Sequence, residues 1–123
     1  MKIIISNNSK ESIYEQITSQ IKSLILSGEL KEGEPIPSMR NLAQELQVSV
    51  ITTKRAYEEL EKEGFIYSIV GKGSFIAEQN LELIKEKKLK VIEEQLANVI
   101  FNSKEIGLSI SELTELLQLL YEE

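Results

Sequence analysis

Between Pro37 and Ile76 the chain reads PSMRNLAQELQVSVITTKRAYEELEKEGFIYSIVGKGSFI, and the spacing of its breaks leaves few folds open. Ser38 is suited to cap a short helix whose Leu42, Ala43 and Leu46 share one side. Val48 and Ser49 interrupt it, and Ser49 caps a second helix running to about Glu63, where Gly64 stops it. On that helix Thr53, Ala56, Tyr57 and Leu60 face inward. Ile51, Arg55, Glu58 and Lys62 lie opposite, flanked by Thr52 and Lys54. The β-branched and aromatic run FIYSIVGKGSFIAE then predicts a hairpin around Gly71-Lys72-Gly73, whose glycines supply the positive φ of a tight turn. Helix, break, helix and hairpin in this order make a winged helix-turn-helix. The commonest use of that shape is to set the second helix in a DNA major groove.

The flanking segments complete the architecture. Ile3–Ile5 suits either a short edge strand or an apolar arm docked on the body. Ser9 is the expected N-cap of a helix to about Ser27, with Ile13, Ile17, Ile21, Leu24 and Ile25 on one face and Gly28 as its stop. Residues 29–37, ELKEGEPIP, read as an extended loop with a turn at Glu32-Gly33. Beyond Glu78 the pattern is helical, with a stripe of Leu81, Ile84, Ile92, Leu96, Val99 and Ile100. Gly107 breaks it. Ser109 and Glu112 have capping-box spacing and open a last helix with Ile110, Leu113, Leu116, Leu117 and Leu120 on one side. The expected fold is mostly α with a small β-hairpin wing: a winged helix-turn-helix over 1–77 and a two-helix tail over 78–123.

Two helices of this size cannot cover both stripes with each other, and isolated helices are marginal in water. A second copy of the chain is the economical cover, through Leu96, Val99, Ile100, Leu113, Leu116, Leu117 and Leu120. The alternative is a tail folded back on its own domain as extra core. Only 46 residues follow position 77, too few for an enclosed effector pocket with its own core, and no residue pattern names a small-molecule ligand.

Composition removes whole classes of function. The chain contains no His, Cys or Asp, so zinc sites built on His and Cys, disulfides and Cys-His nucleophilic pairs cannot form. No cofactor or metal site is expected, and no enzyme. No apolar run reaches the roughly 20 residues of a membrane span, and MKIIISNNSK is too short a hydrophobic start for a secretory signal. A cytoplasmic protein without a membrane partner is the natural expectation.

The net charge of −6 seems to oppose a polyanionic partner, but it is unevenly spread. Residues 1–77 carry nine Lys or Arg against ten Glu, whereas 78–123 carry five Lys against ten Glu. Phosphate contact depends on local clusters of positive charge, so the acidic surplus of the tail need not interfere.

The candidate DNA face is the exposed start of the second motif helix: Ser49, Val50, Ile51, Thr52, Lys54 and Arg55. Hydroxyls bond bases or phosphates, Ile51 suits a thymine methyl, and Lys54 or Arg55 suits guanine O6/N7. Arg40, in the first turn of the preceding helix, is placed to clamp a phosphate. Lys72, between Gly71 and Gly73 at the hairpin tip, suits the minor groove. The competing possibility is surface pairing of Lys54 with Glu58 and Arg55 with Glu59, each one helical turn away. A winged-helix protein-interaction module without DNA binding would need no basic face at all.

These residues resemble a known family. SIYEQITSQIKSLILSGELKEGEPIPSMRNLAQELQVSVITTKRAYEELEKEGFIYSIVGKGSFI, about residues 12–77, is similar without a gap to the N-terminal domain of the GntR transcription regulators. The tail ending IGLSISELTELLQLL resembles the short YtrA-like subfamily. The resemblance implies a homodimeric regulator, usually a repressor, that binds an inverted-repeat operator. In this subfamily the operon often encodes an ATP-binding-cassette transporter. It also implies that Arg40 grips phosphate, that Lys54 stands at a base-reading position, that Arg55 belongs to a RAY motif and that Gly71-Lys72-Gly73 is the wing tip. The chain departs from relatives at Ile69-Val70, where basic residues are common, and at Val50, where some carry Arg.

Overall fold

Ser12, not Ser9, starts the first helix. In the computed structural model, which describes residues 1–123, the Ser12 hydroxyl accepts the Glu15 N–H at 3.4 Å and donates to the Glu15 carboxylate at 2.7 Å. Ser9 instead accepts the Glu11 N–H within the preceding turn. Ser12 prevails because the Glu15 carboxylate three residues on accepts its hydroxyl proton and holds the capping oxygen in place, and Ser9 has no such partner.

The chain divides into two units, Met1–Gln79 and Asn80–Glu123. The first contains α1 (Ile13–Leu26), β1 (Pro35–Ile36), α2 (Met39–Leu46), α3 (Val50–Lys62), β2 (Ile66–Ile69) and β3 (Gly73–Ile76). The second contains α4 (Leu81–Glu105) and α5 (Ile110–Glu122).

The core of the first unit follows the helical periodicities. Ile17, Ile21 and Ile25 of α1 meet Leu42 of α2, Ala56, Tyr57 and Leu60 of α3, and Ile66 and Ile76 of the sheet. Thr53, fully buried, donates its hydroxyl to the Ser49 and Val50 carbonyls, which removes the cost of burying it. The N-terminal residues form an arm and not a strand. Ile3 is buried, while the Gln20 amide both accepts from the Ile4 N–H and donates to the Ile4 carbonyl. Gln16 does the same for Ser6. Two side-chain amides on α1 thus satisfy backbone groups that a neighbouring strand would otherwise pair.

The expected loop over 29–37 is corrected at its end. Pro35 and Ile36 form a strand antiparallel to β3, Pro35 opposite Phe75 and Ile36 opposite Ser74, so the wing is a three-stranded sheet of order β1-β3-β2. A two-residue strand that starts at Pro35 and is followed by Pro37 carries no periodicity, and β1 is an edge strand, where a proline without an N–H is tolerated. Gly33, at φ 81°, makes the preceding turn and donates its N–H to the Ile76 carbonyl.

In the second unit Asn80 caps α4 by accepting the Leu83 N–H, and Gly107, at φ 72°, ends the turn after it. Ser109 and Glu112 make the reciprocal capping box that opens α5. Ser103 alone is buried on α4, and no residue of α5 is buried. No helix of the chain is long and apolar enough to cross a membrane.

Candidate nucleic-acid interface

The turn between α2 and α3 is built by one residue that sequence reasoning passed over. Gln47 adopts a left-handed conformation, φ 56°, and its N–H caps the end of α2 on the Ala43 and Gln44 carbonyls. Val48 N–H also donates to Ala43 O, so the reversal is closed by backbone bonds before Ser49 starts the next helix. The only sequence signal was the interrupted periodicity, since glutamine is an uncommon choice for positive φ.

Ser49 accepts the Thr52 N–H at 3.1 Å, and the two side-chain hydroxyl oxygens lie 2.8 Å apart, sharing a hydrogen bond. Each keeps spare capacity toward a ligand. Beside them Ile51 is 80% exposed, Val50 is partly exposed, and Lys54 and Arg55 extend from the same uncovered side of α3. An isoleucine so open at a helix start has no packing role in its own unit.

Arg40 is the second residue of α2, one after Met39 and two after the Ser38 cap, and is exposed. On the wing, Lys72 donates its backbone N–H to the Ile69 carbonyl, closing a turn in which Gly71 and Gly73 take φ 81° and 109°. The hairpin is braced by stacked Tyr67 and Phe75 rings and by a Ser68–Ser74 hydroxyl pair of 2.8 Å. Its rigid frame leaves Lys72 and a fully exposed Val70 at the tip.

The chain has two ion pairs, Lys22–Glu63 and Lys54–Glu58. Lys54 therefore does form the surface pair anticipated as its alternative, but at 3.9 Å and with both side chains more than half exposed. Such a pair is worth only about 0.2–0.5 kcal/mol and yields readily to a phosphate or a base. The Arg55–Glu59 pair does not form. Arg55 turns to α1 instead, with its guanidinium 3.8 Å from the Tyr14 ring centroid and a 3.1 Å hydrogen bond donated to the Tyr14 hydroxyl. Sequence reasoning gave Tyr14 no role, because an aromatic beside the apolar stripe of α1 looks like ordinary packing. Arg40, Arg55 and Lys72 have no carboxylate partner.

Tyr57 holds α3 from below. Its hydroxyl donates to the Pro37 carbonyl at 2.7 Å, and its phenol is pushed well above the ordinary value of 10.0 by burial and then by the Glu45 carboxylate. It is a packing residue of the motif.

On the second unit the residues expected to pair with another copy are uncovered. Leu96, Val99, Ile100, Leu116, Leu117 and Leu120 each keep between 41% and 57% of their surface in solvent, and Leu113 is partly exposed.

Helix α2, its turn, α3 with an uncovered N-terminal face, and the glycine-tipped wing together define a winged helix-turn-helix protein. The family described as bacterial regulatory proteins, gntR family, matches residues 13–76. The chain belongs to the GntR family and is a transcriptional regulator of that kind. It is 38% identical over 113 residues to the HTH-type transcriptional repressor YtrA of Bacillus subtilis (strain 168), covering 92% of this chain and 87% of that one. A Listeria monocytogenes EGD-e structure described as a transcriptional antiterminator superposes with a TM-score of 0.72 at 36% identity, over 100% of this chain and 91% of that one. AraR(DBD), solved in complex with operator ORX1, has a TM-score of 0.56 at 28% identity, over 63% of this chain and 96% of that one. These relatives are regulators and not enzymes, in agreement with the sequence expectation.

Proposed function

We propose that the chain is a homodimeric transcriptional repressor that binds an inverted-repeat DNA operator. In this assignment residues 1–77 bind DNA and residues 78–123 pair the two copies. The observation that carries it is chemical. Arg40 on α2, Arg55 on α3 and Lys72 on the wing are cations without carboxylate partners, beside an uncovered α3 terminus of Ser49, Val50, Ile51 and Thr52. A duplex supplies the missing anions and takes the α3 terminus in its major groove. Lys54 joins them by giving up its weak pair with Glu58, and Gly71 and Gly73 let the wing backbone approach the groove.

The tail supports the dimer. Six half-exposed aliphatic side chains gain about 1 kcal/mol each when the remaining surface is covered, and a two-fold partner covers all of them at once. Two-fold symmetry in turn requires a palindromic operator. DNA as ligand implies a cytoplasmic protein. The resemblance to the short YtrA-like subfamily implies a transporter operon as the target.

Selection of bound fragments from random duplexes tests binding, palindromy and half-site spacing together. An enriched inverted repeat is expected, and recovery without enrichment would refute the proposal. On the selected operator, Arg40→Ala weakens binding to all duplexes alike, whereas Lys54→Ala also relaxes preference among sequences. Unchanged affinity in both variants would exclude this docking.

A further inference from the structure

Arg55 is held as no other cation of the interface is. Its planar guanidinium stacks 3.8 Å from the centroid of Tyr14, and one of its N–H groups donates to the Tyr14 hydroxyl. Tyr14 is itself partly buried against the core, so the ring is a fixed platform at the start of α1. Arg40 and Lys72 have no side-chain hydrogen bond, and Lys54 makes only its long pair with Glu58. Resting on the operator binding proposed above, we infer that Tyr14 is a positioning residue that sets Arg55 as a clamp on a backbone phosphate, and that Arg55 does not read a base.

Three features argue for this division of labour. A guanidinium carries five N–H donors, and Tyr14 uses one. The stack covers a face of the plane and leaves edge donors free, which is the geometry that grips two oxygens of one phosphate. Second, Arg55 lies one turn beyond Ile51, and its head is drawn sideways to another helix. A base reader must instead extend from the exposed start of α3 into the groove, as Ser49, Val50, Ile51, Thr52 and Lys54 are placed to do. Third, a side chain already ordered by a stack loses less freedom on binding, so its contact is strong toward any sequence. Glu59, one turn on, does not compete, since it makes no pair with Arg55.

The test uses the full chain, the selected operator and a scrambled duplex, with fluorescence anisotropy across a salt series. Arg55→Ala is expected to weaken both duplexes by the same factor, leave their ratio unchanged and lower the log–log salt slope by about 0.9. Tyr14→Leu is expected to weaken both several-fold in the wild-type background and to add little in the Arg55→Ala background, since the tyrosine acts through the arginine. Tyr14→Phe keeps the ring in the core and removes only the hydroxyl bond, and it is expected to show a smaller loss with the same dependence on Arg55. An unchanged salt slope in Arg55→Ala, a changed ratio between operator and scrambled duplex, or independent addition of the Tyr14 and Arg55 losses would each overturn the assignment while operator binding stands. Wild-type protein that binds neither duplex would overturn operator binding and this assignment with it.

Discussion

Tyr57→Phe tests what fixes the second helix of the motif. Tyr57 is 2% exposed, and its hydroxyl donates at 2.7 Å to the carbonyl of Pro37, the residue after β1 and two before α2. That single bond joins α3 to the segment leading into α2. Phenylalanine fills the same volume, so no cavity opens and the loss is that of the hydrogen bond. With the Pro37 carbonyl only partly buried, the cost is about 1–2 kcal/mol near neutral pH.

The same geometry dictates how this difference changes with pH. Burial first, then the Glu45 carboxylate, raises the phenol above its ordinary 10.0, so the folded chain keeps a proton that the unfolded chain releases. The hydroxyl's stabilisation is therefore complete below about pH 10 and is lost as pH rises further, by about 1.4 kcal/mol per pH unit. An advantage of about 1.5 kcal/mol over Tyr57→Phe should vanish near pH 11. Urea unfolding of both proteins at one protein concentration, followed by circular dichroism from about pH 7 to about pH 11.5, measures the difference directly. A constant difference across the alkaline range would refute the reasoning, because it would mean that the folded phenol ionises as readily as the unfolded one.

Leu117→Glu places a carboxylate on the uncovered face of α5, where the wild-type leucine is 52% exposed within its own chain. It should leave helix content intact, shift the protein to monomer in analytical ultracentrifugation and reduce operator affinity more than tenfold. Gly73→Ala meets no atom within 4 Å, so its cost comes from backbone strain at φ 109°, about 1–2 kcal/mol in unfolding free energy.

The sequence carried the helices well because caps and periodicity are local. Ser38, Ser49 and Ser109 cap as their neighbours suggest, and Thr53, Ala56, Tyr57 and Leu60 are all buried as their spacing requires. What escaped depends on partners distant in the chain. Strand β1 exists only because β3, about forty residues later, offers an edge. The Arg55–Tyr14 contact spans 41 residues and overrides the Arg55–Glu59 pair that helical spacing favours. The Ser9 expectation failed on a local feature that was legible, since Ser12 and Glu15 have the same spacing as Ser109 and Glu112. Of the candidate site, sequence spacing placed the α3 face and the wing tip; the unpaired state of the cations emerges only when every carboxylate is located.

That unpaired state bears on how an acidic chain would select DNA. Residues 1–77 are nearly neutral, so attraction to an arbitrary duplex would rest on a few cations and be weak at physiological salt. Weak general attraction does not weaken discrimination. Specificity is a ratio, and contacts shared by all sequences raise both of its terms. With Arg40, Arg55 and Lys72 assigned to backbone and groove as proposed, the difference between operator and other DNA would fall on the hydroxyls of Ser49 and Thr52, on Lys54 and on the methyl groups of Val50 and Ile51. An 80%-exposed isoleucine costs little in the free protein and gains only where a thymine methyl or another apolar edge meets it. The departure at Val50, aliphatic where some relatives carry arginine, then has a physical consequence: it exchanges charge that would serve every duplex for apolar surface that serves few.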